Sequence, residues 1–283
     1  MFTVTPADLQ TFARDGFLRV PGLFAAEEIE PLRAACHADP SVRGSVVELA
    51  DSNGRPQQLT CWTELGDDLL GIFPRIERLV IAAAALLGGE VYHWHSKLSL
   101  KPPHSAGRWD WHQDYPYWYK EGCLYPDMLT CTVAVDPATR ENGCLTVLRG
   151  THVMGRIDHV PIGHTTACDP DRLKHAMARH GLVACEMNPG DGLFFHANLL
   201  HTSGPNPTDS PRTLLHITYN RATNAPPVSQ RPEREYRPLV VAPDDAIFAK
   251  RYRSAFANHP FPKVDPARTR SRYGQEIIGS GDQ

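Results

Sequence analysis

Several features that define other protein classes are missing from the sequence. Its seven cysteines include no Cys-x-x-Cys pair and are odd in number, which disfavours a disulfide framework and suits free thiols in a reducing compartment. The longest apolar run, residues 79–87, is too short to span a bilayer, and residues 1–20 lack the apolar core of a signal peptide. A net charge of −3 gives no electrostatic case for binding nucleic acid or an anionic membrane. These absences predict a cytoplasmic protein without either partner.

The chain has instead many turn residues, with 25 Pro and 21 Gly among 283 positions. Helical periodicity dominates residues 1–89, and from Glu90 the apolar pattern changes to a period of two. Strands are predicted at 91–100, 109–115, 129–135, 144–148, 182–187, 193–201 and 212–220. Together these patterns predict a mainly β protein, an antiparallel sandwich or jelly roll with a helical cover. We expect one domain, with the cover in 1–89, the β core in 90–222, a long loop at 153–180 and a C-terminal extension at 223–283.

One short segment carries a pattern that is typical of a metal site. His112 and Asp114 are separated by a single residue in the strand predicted over residues 109–115. Residues i and i+2 of a strand point to the same face, so both side chains can reach one point. An imidazole and a carboxylate in this arrangement are two of the three ligands of a facial triad, which leaves positions of a ferrous ion open. With 14 histidines in the chain, a polar strand face explains the same pattern without a metal.

Two later residues are candidates to complete such a site. His201 ends an apolar predicted strand, where a solvent-facing histidine is the alternative interpretation. Arg212 begins the next predicted strand after a turn-rich loop. If these strands are antiparallel neighbours, Arg212 lies beside His201, and a buried arginine there needs an anion such as a dicarboxylate. The charges of a ferrous ion, one aspartate and Arg212 together balance a dianionic 2-oxoacid.

Six segments of the sequence resemble one known family. They are Lys101-Pro102-Pro103, Trp111-His112-Gln113-Asp114, Glu141-Asn142-Gly143-Cys144-Leu145, Arg149-Gly150-Thr151-His152, Gly190-Asp191-Gly192-Leu193-Phe194-Phe195-His196 and His201-Thr202-Ser203-Gly204. In order and spacing, with the arginine after the distal histidine, they are similar to the phytanoyl-CoA dioxygenase family. Members of that family are Fe(II)/2-oxoglutarate-dependent oxygenases. The likeness covers roughly residues 8–222.

The resemblance implies a double-stranded β-helix, the cupin-like form of the jelly roll, flanked by N-terminal helices. It implies that His112, Asp114 and His201 bind Fe(II) and that Arg212 binds the distal carboxylate of 2-oxoglutarate. The implied activity is that of a dioxygenase, which consumes dioxygen and 2-oxoglutarate, releases succinate and CO₂, and hydroxylates or otherwise oxidises an unactivated C–H bond. The carboxylate of Asp114 argues for hydroxylation over halogenation. No catalytic residue beyond the metal ligands is predicted.

Three further positions bear on the co-substrate. Lys97 and Thr132 match strand positions that line the co-substrate pocket in the family. For Lys97, a salt bridge to a surface carboxylate is the alternative. The wider superfamily often has a hydroxyl residue two positions after the arginine, and this chain has Leu214 there. The departure puts one hydrogen bond to the co-substrate in doubt.

Aromatic residues around the metal segment are the candidates for substrate contact, and we select Tyr117 and Trp118. Core packing explains aromatic residues at this density equally well. His95 and His216 lie on predicted flanking strands, either as hydrogen-bond donors to the site or as satisfied core histidines. Because no Lys/Arg cluster for a CoA phosphate is evident, we expect a small polar metabolite or a natural-product intermediate as substrate.

Two other functions fit parts of the pattern. One is a non-catalytic jelly-roll module whose His and Asp side chains hold a structural ion. The other is a Zn-dependent isomerase or hydrolase of the cupin type. Arg212, placed for a co-substrate carboxylate, argues against both. In the long loop, His159 and His164 suggest a lid over the substrate.

Overall fold

The computed structural model describes residues 2–227, 234–250 and 275–280. Its α-helices are α1 (Pro6–Asp15), α2 (Ala26–Ala38), α3 (Pro40–Arg43), α4 (Leu69–Ile72), α5 (Glu77–Leu87), α6 (Tyr115–Lys120), α7 (Pro170–Met177) and α8 (Ala246–Lys250). Its strands are β1 (Phe17–Val20), β2 (Val47–Ala50), β3 (Pro56–Trp62), β4 (Val91–Lys101), β5 (Trp109–His112), β6 (Met128–Ala134), β7 (Leu145–Leu148), β8 (His159–Ile162), β9 (Thr165–Cys168), β10 (Leu182–Cys185), β11 (Gly192–His196), β12 (His201–Ser203), β13 (Arg212–Arg221) and β14 (Ile277–Ser280). No helix of these residues is long and apolar enough to cross a membrane.

Two antiparallel sheets form the centre of the structure. The larger has the strand order β1-β11-β6-β13-β4-β3-β2-β14, and the smaller has the order β10-β7-β12-β5. Leu193 and Leu214 of the larger sheet pack in one buried cluster with Leu145 and Val147 of the smaller sheet. The sheets therefore face each other around a shared interior, which is the predicted jelly roll.

The opposite face of the larger sheet is covered by helices. Leu98, Leu215 and Ile217 belong to a second buried cluster that includes Leu79 and Val80 of α5. Because this sheet is covered on both faces, every residue of β6 is buried. The predicted helical cover is confirmed.

The ends of two cover helices follow from local sequence. Thr5 and Asp8 form a capping box at the start of α1, and Gly16 ends that helix at a φ of 80°. Gly88 ends α5 in the same left-handed conformation, with a φ of 68°. Both helices therefore end at a glycine that adopts a backbone conformation other residues rarely take.

Residues 1–89, predicted as mainly a helical cover, also contain three strands, of which β1 has a strand-like sequence and β2 and β3 were not predicted. β1 pairs with β11, and β2 and β3 extend the larger sheet beyond β4. The sequence of β3, Pro-Gln-Gln-Leu-Thr-Cys-Trp, shows only a weak alternation of apolar and polar residues. Strands near a sheet edge bury fewer side chains, so their pattern is poorer than that of β6 or β13.

A second correction concerns the strand predicted at 193–201. β11 ends at His196 in the larger sheet, and β12 begins at His201 in the smaller one. A turn lies between them, in which the Leu199 N–H donates to the His196 carbonyl at 2.9 Å. The chain therefore passes from one sheet to the other immediately before His201.

The loop predicted at 153–180 is more ordered than expected. It contains the antiparallel hairpin of β8 and β9 and then α7, whose first turn is capped by Asp169. Part of the predicted C-terminal extension is also built into the fold, because β14 pairs with β2. Residues 228–233, 251–274 and 281–283, which belong to the predicted C-terminal extension, lie outside the described residues.

Candidate active site

Strand pairing in the smaller sheet brings the two candidate histidines together. β12 lies between β5 and β7, and its register places His201 opposite His112. The ring centroids are 4.1 Å apart, and both side chains are buried in the interior. Tertiary pairing thus joins two residues that are distant in the sequence.

Asp114 reaches the same point by a route that differs from the prediction. β5 ends at His112, and Asp114 directly precedes α6 with a φ of −74° and a ψ of −36°. The predicted extended strand over 109–115 is therefore wrong beyond His112, because the chain turns into a helix there. The Asp114 carboxylate is still 3.9 Å from His112 Nε2, and the possible ligand atoms of His112, Asp114 and His201 all lie within 4.8 Å of one another.

Gln113, between the two, holds this turn in place. Its amide nitrogen donates to the carbonyls of Gly155 at 2.9 Å and Asn198 at 2.7 Å. Its side-chain oxygen accepts from the Ile157 N–H at 2.7 Å. The side chain is fully buried and ties the metal segment to the residues before β12 and before the β8–β9 hairpin. These three bonds orient the residues on either side of Gln113.

The hydrogen bonds of the two histidines leave their Nε2 atoms available to a metal. Nδ1 of His112 lies 2.7 Å from the Asp110 carbonyl, and Nδ1 of His201 lies 2.9 Å from the Leu199 carbonyl. A carbonyl only accepts, so both Nδ1 atoms carry the hydrogen and both Nε2 atoms carry a lone pair. Burial, aided by the nearby Lys97, lowers the pKa of His112 well below its ordinary value and also lowers the pKa of His201. Two neutral imidazoles and a carboxylate suit a ferrous ion.

Arg212 lies on the larger sheet and faces His112 and His201 of the smaller sheet across the interior. The prediction that it neighbours His201 on an antiparallel strand is wrong, because β13 belongs to the larger sheet and pairs with β4 and β6. The guanidinium is fully buried, and burial lowers the pKa of Arg212 to about 9. Nη1 donates to the carbonyl and hydroxyl oxygens of Ser99 at 3.2 and 3.3 Å. Nε and Nη2 have no hydrogen-bond partner within the described ranges, so both can donate to an anion.

One cavity joins the histidines to the arginine. Its lining comes from both sheets and consists of Lys97, Ser99, Trp109, His112, Leu145, Phe195, His201, Ser203, Arg212, Leu214 and His216. The cavity lies inside the jelly roll, where water is largely excluded and electrostatic interactions are strong.

Ser203 is a candidate co-substrate residue that the sequence reasoning missed. Its buried hydroxyl lines the cavity and has no hydrogen-bond partner in the part of the chain that the structure describes. Leu214 lines the same cavity without a hydroxyl. Ser203 lies two residues after His201 on β12, so the i, i+2 rule applied to that strand would have indicated it.

The two weaker co-substrate candidates differ in position. Lys97 lines the cavity, with its Nζ 3.9 Å from Asp114 Oδ1 and 5.9 Å from the centre of the Trp109 ring. Its carboxylate neighbour is thus a buried member of the site and not a surface group. Thr132 does not line the cavity. It shares a 2.7 Å hydrogen bond with Nδ1 of His216, and His216 does line the cavity.

Tyr117 and Trp118, the predicted substrate residues, are both buried on α6 and belong to an aromatic cluster. The Tyr117 hydroxyl donates to the Thr166 carbonyl of β9 at 2.9 Å, and its ring centre lies 6.3 Å from that of His112. The Trp118 ring makes an edge contact with His95 at 5.7 Å. Neither residue lines the cavity between the histidines and Arg212.

The β8–β9 hairpin covers the metal segment. Nε2 of His159 accepts from the Gln113 N–H at 3.1 Å, and the His159 ring lies 5.0 Å from the Tyr117 ring. Burial lowers the pKa of His159 to about 3. At the other end of the hairpin, His164 forms an ion pair with Glu276, next to β14. The two histidines predicted in a lid thus lie at opposite ends of one hairpin.

Comparison with known proteins decides the family. The model of the phytanoyl-CoA dioxygenase (PhyH) family matches residues 12–214. The chain belongs to this family. Its predicted class, an Fe(II)- and 2-oxoglutarate-dependent dioxygenase, is thereby confirmed, and no comparison supports a non-catalytic or Zn-dependent cupin.

Individual relatives extend over most of this dioxygenase. L-proline trans-4-hydroxylase of Streptomyces griseoviridis is 28% identical over 83% of this chain and 95% of its own length. Ectoine dioxygenase of Streptomyces avermitilis is 28% identical over 78% of this chain and 80% of its own. The solved structures of EctD from S. alaskensis with 2-oxoglutarate and 5-hydroxyectoine, and with bound Fe, each superpose with a TM-score of 0.71 at 25% identity, covering 85% of this chain and 88% of theirs.

Proposed function

We propose that this dioxygenase hydroxylates a small polar metabolite at a ferrous ion held by His112, Asp114 and His201. The observation that carries the proposal concerns one cavity. On one wall lies the buried Arg212, two of whose nitrogens have no partner among the residues that the structure describes, and on the other lie two neutral imidazoles. Arg212, with the hydroxyl of Ser203, fits the distal carboxylate of 2-oxoglutarate. Iron and 2-oxoglutarate, when bound, would let dioxygen act as the oxidant, with one of its oxygen atoms entering the C–H bond of the substrate and the other entering succinate as CO₂ is lost.

The protein's own part is positioning. The carbonyls of Asp110 and Leu199 fix the two imidazoles in one tautomer and orientation. Arg212 and Ser203 would set the direction of the co-substrate along the cavity. The β8–β9 hairpin, which contacts Tyr117 through His159 and Thr166, would limit water. Lys97 adds a positive charge beside Asp114. Asp114 fills the ligand position that a halide would need, which supports hydroxylation.

The substrate class is inferred from the relatives and from charge. Two similar enzymes are described by name as acting on L-proline and ectoine, both small polar metabolites. No cluster of Lys and Arg suited to the phosphates of CoA is evident in the sequence. We therefore propose a small, polar, amino-acid-like metabolite, and not an acyl-CoA thioester, as the substrate. A cytoplasmic location stays a prediction that cell fractionation can test.

Succinate release tests the function directly. Purified protein with Fe(II), ascorbate and 2-oxoglutarate is expected to release succinate slowly, and faster when a metabolite pool contains the substrate. In ¹⁸O₂ the product should gain one labelled oxygen. The His201→Ala variant, loaded identically, serves as the inactive control. Succinate at the level of that control under all conditions, or activity with Zn²⁺ that needs neither dioxygen nor 2-oxoglutarate, would refute the proposal.

A further inference from the structure

His95 lies inside the jelly roll on the same strand face as the cavity residues. It precedes Lys97 by two positions on β4, and Lys97 and Ser99 both line the cavity. Its partner on the neighbouring strand β13 is Thr218. The pairing of β4 with β13 becomes irregular at Trp94, the residue before His95. Such bulges change the direction of neighbouring side chains and are common near active sites.

The neighbours of His95 place it at the level of the proposed iron ligand Asp114. The Thr218 hydroxyl is 3.0 Å from the Thr130 hydroxyl, which lies 3.5 Å from the Asp114 carboxylate. On the other side, the His95 ring touches Trp118 of α6, the helix that begins directly after Asp114. His95 therefore lies on the α6 side of the iron site, away from Arg212.

Its hydrogen bonding sets His95 apart from the other interior histidines. It is only 6% exposed, yet neither ring nitrogen has a hydrogen-bond partner among the residues that the structure describes. By contrast, His112 and His201 bond to carbonyls, and His216 bonds to Thr132. A buried imidazole with two unused polar atoms costs stability, so a polar ligand is the simplest account of its place.

The surroundings of His95 select the charge of that ligand. The charged groups near it are the cations Arg234 and Lys97, and its other titratable neighbours are the rings of His93 and His216. Arg234 is balanced by Glu121, whose carboxylate oxygen is 3.6 Å from its Nε. Once the charges of 2-oxoglutarate, iron, Asp114 and Arg212 cancel, Lys97 keeps an uncompensated positive charge. An anionic group is favoured beside His95.

We propose that His95 is a specificity-determining residue that donates a hydrogen bond to the carboxylate of the substrate, a small carboxylic acid. The inference rests on the proposed function, because it assumes that the substrate lies on the α6 side of the iron. Burial and the nearby cations lower the pKa of His95 well below its ordinary value, so the ring is neutral and offers one N–H donor. Lys97 supplies the attraction, and Trp118 provides an apolar wall.

The test compares acids with their amides in three proteins. Wild type, His95→Leu and His95→Gln are assayed for succinate release with a panel of small carboxylic acids, including L-proline and ectoine, and with the carboxamide of each. We expect acids to stimulate succinate release and amides to be at least tenfold poorer. His95→Leu should raise the KM for the acids tenfold or more, and His95→Gln, which keeps an N–H donor, should restore most of the loss.

Two controls separate this inference from the proposed function. The KM for 2-oxoglutarate should stay within twofold of wild type in His95→Leu, because the co-substrate carboxylate is proposed to bind at Arg212, away from His95. His93→Leu, which breaks a hydrogen bond to Ser96 outside the site, should leave the acid KM unchanged. If wild type releases no succinate at all, the proposed function fails. If succinate is released but no acid stimulates it, or if His95→Leu has an unchanged acid KM, the assignment of His95 is overturned.

A binding readout is independent of turnover. In a crystal structure of the protein with iron and 2-oxoglutarate, a ring nitrogen of His95 should bond to an ordered water, which the acid displaces. His95→Leu should unfold at the same or a higher temperature than wild type, because it removes unpaired polar atoms. Protein groups bonded to both ring nitrogens would contradict the proposal.

Discussion

At the scale of single residues, Arg212 shows a conflict between stability and binding. Its guanidinium is fully buried with two nitrogens unpartnered in the described part of the chain, which is costly until an anion arrives. We expect Arg212→Met to raise the free energy of unfolding without 2-oxoglutarate by about 1–3 kcal/mol. The same change should raise the KM for 2-oxoglutarate roughly a hundredfold, since a buried charge-assisted pair is lost. Urea unfolding and succinate release measure the two effects.

The co-substrate gives a matched comparison for Arg212. Wild type should be stabilised by 2-oxoglutarate at a hundred times its Kd by about 2.7 kcal/mol, whereas Arg212→Met at the same concentration should gain almost nothing. Arg212→Lys keeps a charge but not the planar fork and should fall between them. Equal stabilisation of wild type and Arg212→Met would remove Arg212 from the co-substrate site.

Gln113 offers a second test, because its amide is donor and acceptor at once. In Gln113→Glu the carboxylate would face the carbonyls of Gly155 and Asn198, to which the amide now donates. The turn between His112 and Asp114 should loosen, and Fe(II) affinity should fall about 10- to 100-fold. Metal titration measures the loss. Gln10→Glu, the same change on an exposed position of α1, should leave the affinity unaltered, and an equal loss there would point to a general charge effect.

The sequence anticipated the identity of these residues better than their geometry. The spacing of His112 and Asp114 made them candidates, and the family resemblance selected them. Neither shows that the strand ends between them, because a helix start at Tyr115-Pro116 and an extended strand both allow convergence. Ser203 was missed since a serine two positions after a histidine is common in strands. The unpartnered state of His95 depends on tertiary neighbours and has no sequence signal.

At the scale of elements, the β8–β9 hairpin is the part most sensitive to a single backbone position. Gly163, in its turn, has a φ of 56°, and a Cβ there would lie 2.0 Å from the Ser52 carbonyl oxygen. Ser52 in turn is bonded to the Asp110 carboxylate of β5 at 2.8 and 2.9 Å. We expect Gly163→Ala to displace the hairpin and to lower the free energy of unfolding by about 1–3 kcal/mol. Hydrogen exchange of the β8 and β9 amides should become faster.

Gly181 supplies the control for that change. A Cβ at Gly181 meets nothing within 4 Å, and its φ is not positive. Gly181→Ala should therefore change the unfolding free energy by less than about 0.5 kcal/mol and leave the hairpin amides unaffected. Hairpin amides that exchange equally slowly in wild type and Gly163→Ala would show that the turn adapts and that the contact with Ser52 does not hold the hairpin.

Element types were predictable where one face is strongly apolar, as in β6 and β13, and not where strands are short or near an edge. β2 has only four residues and β3 alternates weakly, so their membership of the larger sheet follows from pairing with β4 and β14. The break between His196 and His201 was hidden because the apolar residues Leu193-Phe194-Phe195 and Leu199-Leu200 together resemble one continuous strand. That break places His201 in the smaller sheet and Arg212 in the larger, on opposite walls of one cavity.

At the scale of the whole molecule, a jelly roll that buries neutral histidines should be sensitive to acid. His196 is the clearest case outside the site, because its Nδ1 accepts from the Asn198 N–H at 3.0 Å and a protonated ring could not. Burial, and to a smaller extent His152, lowers the pKa of His196 from its ordinary 6.5 to about 4. The unfolded chain therefore binds the proton first as the pH falls. Stability is complete above pH 6.5 and falls by about 1.4 kcal/mol per pH unit for this group down to about pH 4.

Urea unfolding between pH 7.5 and 4.5 measures this slope. Burial also lowers the pKa of His95 and His216. The free energy of unfolding of wild type should therefore fall with pH below 6.5 more steeply than the roughly 1.4 kcal/mol per pH unit expected for one proton. His196→Asn should unfold more easily at pH 7.5, yet its slope should be smaller by about 1.4 kcal/mol per pH unit, so the two curves approach each other in acid. His104→Asn, at an exposed position, should keep the wild-type slope. Parallel curves of unfolding free energy against pH for wild type and His196→Asn would contradict this prediction. They would mean that His196 is protonated in the folded protein at no cost, as in a more hydrated interior.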